Sequence, residues 1–166
     1  MANSKYSLEQ FAYRKQAPTG AIMSTLVSVV VAVVSLRNAS SVYIALPPAG
    51  ISGQSLFGSL LPMAIMLTLM TTIMGVLVTV KKRIAGEVVP ALDPNVRWFK
   101  FALATAVPRA FTAFGVVSMF GLIVHSGWPL ATVSVQLALF VVGVVAAGLG
   151  YIQSAAASLK TRDFHS

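Results

Sequence analysis

The chain has 166 residues, of which 57% are hydrophobic, only 10% are charged and none is cysteine. A water-soluble domain of this length buries only about 70% of the surface that its unfolded chain exposes, so the mean hydropathy of +0.83 indicates an integral membrane protein. The missing cysteines exclude disulfides and thiolate chemistry, and the net charge of +8 is assigned to membrane topology and anionic headgroups instead of nucleic acid.

The apolar runs predict four membrane-spanning helices, at about 20–37, 56–80, 101–124 and 130–155. Polar tails are expected before and after them, at 1–19 and 156–166. The first run is shorter than the ~20 residues that a span requires, so we expect the helix to extend into the neighbouring residues.

Two proline positions predict where the later helices begin. Asp93 followed by Pro94 has the pattern of a helix N-cap and first helical residue, so the third helix is expected to start near Pro94. Pro129 follows a short turn and is expected to open the fourth helix.

Charge asymmetry predicts the orientation. Ten of the twelve basic residues lie in the two tails and in the loop 81–100, which by the positive-inside rule places both termini in the cytoplasm. The expected fold is therefore all-α: an integral four-helix bundle of two consecutive transmembrane hairpins, N-in and C-in, in the inner or plasma membrane. Five basic residues of the loop are expected to meet lipid headgroups: Lys81, Lys82, Arg83, Arg97 and Lys100.

Arg109 is the candidate site residue with the clearest physical argument. It follows Pro108 in the third span, roughly 12 Å inside the apolar layer at ~1.5 Å per residue, where a charge is costly. Four partners remain open: the Ala104 carbonyl, which Pro108 leaves without its usual donor; a lipid phosphate reached by snorkelling; an acidic group on another protein; or an anionic substrate.

Span four supplies further candidates. Gln136 is expected deep in the span, bonded across helices to Ser118 or Thr112. Small residues at helical spacing predict close helix packing, either within the chain or between copies: Gly143, Ala147, Gly150 and Ser154.

Four methionines share one face of the second span, with spacings of three and four residues: Met63, Met66, Met70 and Met74. Flexible packing against neighbouring helices is the favoured interpretation. A soft-metal path and an apolar partner surface are the alternatives.

The sequence therefore favours a non-enzymatic membrane subunit or homo-oligomer, with no cofactor. Its two histidines, His125 and His165, are too widely separated to form a metal site of known spacing, and no catalytic triad has a plausible common location. One alternative hypothesis is an oligomeric channel or transporter for an anionic or small organic solute, in which Arg109 and Gln136 face the pathway. An enzyme that acts on a lipid or quinone is a third, less favoured because the sequence offers no general base at depth and no obvious metal ligands.

Overall fold

A computed structural model describes residues 6–47 and 53–164. It is mostly helical (76%), with four helices that are long and apolar enough to cross a membrane. We number them α1 (Leu8–Leu36), α2 (Leu56–Ile84), α3 (Trp98–Gly127) and α4 (Val135–Lys160). The four expected spans are confirmed as helices, and they suggest a multi-pass membrane protein.

Helix α1 begins well before the predicted span. Ser7 caps its start by accepting a hydrogen bond from the Gln10 backbone, while the Gln10 side chain accepts one from the Ser7 backbone. A π-helical turn at Ala12–Gln16 joins this first turn to Ala17–Leu36. Most of the predicted polar tail 1–19 is therefore helical, which supplies the length that the apolar run lacks. Residues 1–5, 48–52 and 165–166, and with them His165, lie outside the described residues.

The starts predicted for α3 and α4 are wrong. The Asp93 carboxylate accepts a hydrogen bond from the Asn95 backbone at 2.7 Å, which stabilises a local turn, and α3 starts only at Trp98. Helix α4 starts after Ser134, whose hydroxyl accepts from the Leu137 backbone as an N-cap. Pro129 lies in the turn that precedes it.

Short strands in the terminal segment and the loops pair at each end of the bundle. At one end β1 (Tyr6–Ser7) pairs in parallel with β3 (Val88–Val89). At the other end β2 (Ser41–Tyr43) pairs antiparallel with β4 (Thr132–Ser134). The first of these ends also holds the basic clusters 81–83 and 160–162, and we call it the basic end.

The order in which the helices pack differs from their order in the chain. Helix α4 lies between α1 and α2, and α3 packs mainly on α2, so the helices form an open row α1–α4–α2–α3. Consecutive helices α1 and α2 have little contact. The main packing pairs are α1 with α4 and α2 with α3, so these contacts do not show the two consecutive hairpins expected from the sequence.

The contact between α1 and α4 is built mainly from small side chains. Small and hydroxyl-bearing residues let these two helices approach closely, whereas the cluster at the end opposite the basic end also buries Leu36, Leu56 and Leu60. The buried row on α1 consists of Gly20, Ser24, Ser28 and Ala32, and the row on α4 consists of Ala138, Val142, Ala146, Gly150 and Ser154. Large apolar residues such as Phe111 and Leu122 are exposed instead, as expected of helices that face lipid.

Candidate functional site

The closest helix contact lies between α1 and α4. A Cβ atom placed on Gly20 would lie 1.9 Å from the Ser154 hydroxyl oxygen, and one on Gly150 would lie 2.4 Å from the Ser24 hydroxyl oxygen. Gly150 and Ser154 therefore serve packing within the chain. The other two predicted packing residues, Gly143 and Ala147, are half-buried beside this row.

A groove opens between α1 and α2, with α4 as its floor, because α1 and α2 have little contact. Two adjoining cavities of about 510 and 240 Å³ occupy it. We call it the α1–α2 groove. All four methionines of the α2 stripe line it, together with Met23 of α1. Met66, Met70 and Met74 are each more than half exposed, so the stripe does not fill a helix interface as the favoured packing interpretation expects.

Two buried serine hydroxyls beside this groove lack a hydrogen bond. Ser28 lines the larger cavity and Ser24 the smaller one. Both residues are buried (1% and 2% exposed), and neither hydroxyl has a partner among the described residues. Helical Ser and Thr usually donate to the carbonyl one turn back, as Thr71 does to Leu67 at 2.6 Å. The Ser24 hydroxyl oxygen lies instead against Gly150 of α4, so it is enclosed in the contact between α1 and α4.

A second groove, between α3 and α4, is entirely apolar. It holds about 490 Å³, has α2 as its floor, and is lined by residues such as Phe57, Phe120 and Val141. Because its lining offers no polar side chain to orient a ligand, it is the weaker candidate for a binding site.

Arg109 reaches across from α3 to α4. Its Nη2 donates to the Ala156 carbonyl at 3.3 Å, so the acceptor lies on another helix and is not the Ala104 carbonyl. Ala156 precedes Lys160 by one helical turn, or about 6 Å, so Arg109 lies nearer the basic end than the sequence suggests. Its Nη1 is buried and has no hydrogen-bond partner among the described residues.

The acidic residues of the chain already have other partners. The pairs are Glu9 with Arg162 at 2.8 Å, Glu87 with Lys82 at 2.6 Å, Asp163 with Lys160 at 2.5 Å, and Asp93 with the Asn95 backbone. All four acidic residues of the chain lie in its described part, and none of their side chains is left to neutralise Arg109.

Gln136 does not lie deep in a span. Because α4 starts at Val135, Gln136 is an exposed residue of its first turn. Of its two expected partners, Thr112 instead donates to the Pro108 carbonyl at 3.0 Å.

Arg83 is the main residue whose role the sequence misassigned. It is only 2% exposed, so its side chain is enclosed by the protein. Its Nε donates to the Pro90 carbonyl at 2.7 Å, and its Nη1 donates to the carbonyl and hydroxyl of Thr161. The sequence Lys81-Lys82-Arg83 after an apolar span does not indicate that the Arg83 side chain is buried. The other four predicted headgroup residues are not buried: Lys82 is half-buried in its ion pair, and Lys81, Arg97 and Lys100 are exposed.

Comparison of the chain with protein-family models, curated proteins and solved structures finds no match.

Proposed function

We propose that this chain is a non-enzymatic subunit of a membrane assembly, either a homo-oligomer or a larger complex, held together through its transmembrane helices. The observation that supports this most directly is the buried, unpartnered Nη1 of Arg109. Arg109 as a whole is half-buried, so its guanidinium is accessible to a compensating group from outside the chain, and the carboxylates of Glu9, Glu87 and Asp163 are engaged elsewhere. A carboxylate on a neighbouring membrane helix would supply that group.

The assembly surface we propose differs from the small-residue row of α4. Gly150 and Ser154 are covered by α1, so they are not accessible to a partner. Arg109 lies on α3, one of the two outer helices of the row, whose span is the least buried of the four. A partner helix would therefore approach along α3 near the basic end.

We propose that the basic end faces the cytoplasm of a cell with an inner or plasma membrane, so that both termini are inside. The exposed Lys81, Arg97 and Lys100 lie at this end. Their charge would meet anionic lipid headgroups and satisfy the positive-inside rule.

The alternative, an oligomeric channel or transporter for an anionic or small organic solute, requires Arg109 and Gln136 to line a shared pathway. Arg109 contacts Ala156 near the end of α4, whereas Gln136 lies in the first turn of that helix. The two levels are about 30 Å apart, so one small solute could not contact both side chains. The subunit proposal needs no such shared site.

The test compares Arg109→Leu with Arg109→Lys and with the matched control Arg97→Leu, which removes an exposed charge from the same end. Complex size is measured on native gels after gentle extraction. The proposal predicts that Arg109→Leu dissociates the assembly and that the other two variants preserve it. If Arg109→Leu assembles as wild type does, the proposal fails. Intact assembly with loss of anion flux in liposomes for Arg109→Ala would support the transporter instead.

A further inference from the structure

The groove between α3 and α4 extends to Arg109. Its α4 wall is a row of residues spaced by four: Leu137, Val141, Val145 and Leu149. Its α3 wall consists of Val116, Val117 and Phe120. Arg109 precedes these three by seven, eight and eleven residues, which places it on the same face of α3. Because its hydrogen bond to Ala156 joins the same two helices, Arg109 lies at the basic end of this groove. We call the cavity and its extension to Arg109 the α3–α4 groove.

The α3–α4 groove has the length of one membrane-spanning helix. From Leu137 to Ala156 helix α4 rises about 28 Å, close to the ~30 Å of a hydrocarbon layer. Helices α3 and α4 have little direct contact, because α2 packs against both, so a gap remains between them. The cavity alone lacks a group that could orient a small ligand, but Arg109 adds one cation at its basic end.

Arg109 determines which residue a helix in this groove must carry. A guanidinium has five N–H donors, and Arg109 makes a single hydrogen bond among the described residues, at 3.3 Å. The residue is half-buried, so part of it remains accessible. A carboxylate accepts two parallel bonds from a guanidinium and neutralises its charge, which is the compensation that a cation within a span needs.

A second copy of this chain could not supply that carboxylate. Its acidic residues all lie at the basic end, in the first turn of α1, in the loop after α2 or in the turn after α4: Glu9, Glu87, Asp93 and Asp163. Asp163 comes seven residues after Ala156, roughly 10 Å closer to the membrane surface. Copies that share one orientation are related by an axis along the membrane normal, so each residue keeps its depth. An inverted copy would move the four carboxylates to the opposite surface.

We propose that the α3–α4 groove binds one membrane-spanning helix of a different protein, which carries an Asp or Glu about one helical turn inside the basic end and pairs it with Arg109. The apolar residues of that helix would pack along Val116 and Phe120 of α3 and the row on α4. This inference rests on the proposed assembly and narrows it, since it requires a second kind of chain and gives that chain its place.

The experiment uses a synthetic leucine helix of about 20 residues as the probe, with a single Asp one turn from its end. Energy transfer in liposomes measures its binding to the full chain labelled at Asn95→Cys, above neutral pH. Two further peptides carry Asn at the same position or Asp at the centre. We expect the first peptide to bind at least about tenfold more tightly than either of these. Arg109→Leu should abolish the difference and Arg109→Lys should keep it. Arg37→Leu, which removes an exposed charge at the opposite end, is the matched control and should keep it too.

A second pair of variants tests the location. Val116→Trp fills the groove, whereas Met119→Trp places the same side chain on α3 outside the groove lining, and both residues are exposed. Binding of the Asp peptide should be lost in the first variant and kept in the second. Equal binding of the three peptides, or equal binding by the two tryptophan variants, would overturn the inference.

The same chain, produced without other proteins of its membrane, should give single copies in native mass spectra from lipid nanodiscs. A homo-oligomer that Arg109→Leu dissociates would overturn this inference and leave the proposed assembly standing. The native gels of Arg109→Leu from the chain's own membrane test the assembly itself, so the two failures are distinguishable.

Discussion

Arg83 and Thr161 join the ends of α2 and α4 through a buried contact. Nη1 of Arg83 donates to the carbonyl of Thr161 and to its hydroxyl, the latter at 3.3 Å, while Nε holds the loop at Pro90. One guanidinium therefore connects a helix end, a loop and the C-terminal turn, and satisfies backbone carbonyls that helix ends leave free.

Loss of this contact should destabilise the fold. Arg83→Gln leaves buried carbonyls without charged donors, and each such bond contributes about 1.5–3 kcal/mol, so we expect a loss of roughly 3 kcal/mol in unfolding free energy. Titration with SDS in mixed micelles measures it. Lys81→Gln, two residues earlier and exposed, should change stability by less than about 0.5 kcal/mol. Equal effects of the two variants would show that Arg83 has no special role.

One added methyl group at the α1–α4 crossing should destabilise the fold. Gly150→Ala places a Cβ 2.4 Å from both the Gly20 carbonyl oxygen and the Ser24 hydroxyl oxygen, and such overpacking costs about 1–3 kcal/mol. Gly148→Ala, on the same helix with open space around it, should instead stabilise the helix slightly. Thermal unfolding in detergent compares them. If both variants behave alike, α1 does not pack on this row.

The hydrogen bond between α2 and α4 near the basic end should contribute less to stability than the Arg83 contact or the α1–α4 crossing. Thr79 donates to the Gly75 carbonyl at 2.7 Å and shares a hydrogen bond with Ser158 at 2.8 Å. Hydrogen bonds between membrane helices contribute about 0.6 kcal/mol on average, so Thr79→Val should lower the unfolding free energy by roughly that amount in SDS titration. Thr112→Val, on the exposed face of α3, is the control and should have almost no effect. A loss above about 2 kcal/mol for Thr79→Val would contradict the prediction.

The orientation can be tested directly because the chain has no cysteine. Asn95→Cys lies at the basic end and Ser126→Cys at the opposite end, and both positions are exposed. With a membrane-impermeant maleimide, intact cells should label only Ser126→Cys, and permeabilised cells should label both. The reverse pattern would place the termini outside.

The number of helices could be predicted from the sequence, but their order in the bundle could not. Four apolar runs separated by polar or proline-containing segments are a local signal. The pairing of α1 with α4 depends on Gly20 meeting Gly150 and Ser154, more than a hundred residues away in the chain. Because the helices are apolar on nearly all sides, periodicity does not indicate which face contacts which neighbour.

Helix starts were misassigned for a related reason. Asp93 and Pro129 are plausible start signals taken alone, but the segment after Pro129 pairs as β4 with β2 from another loop. Leu8 and Phe11 join the start of α1 to a cluster with Val88. Contacts between distant segments therefore determine where these helices begin, and a local sequence pattern does not contain that information.

The candidate site residues also divide into those that a local sequence pattern indicated and those that it did not. The cost of an intramembrane charge made Arg109 a candidate from sequence, and the methionine spacing predicted one shared face of α2, which lines the α1–α2 groove. Ser24 and Ser28 gave no signal, because a helical serine usually satisfies its own hydroxyl. Only the separation of α1 from α2 shows that these two line a cavity.

The central claim, that the chain works as part of a membrane assembly, is tested most directly by native mass spectrometry of protein extracted with its surrounding lipid from its own membrane. The account predicts a repeating species of this chain or a stoichiometric second protein, and in the latter case an acidic residue in a span of that protein. A spectrum containing only single copies with bound lipid would contradict it.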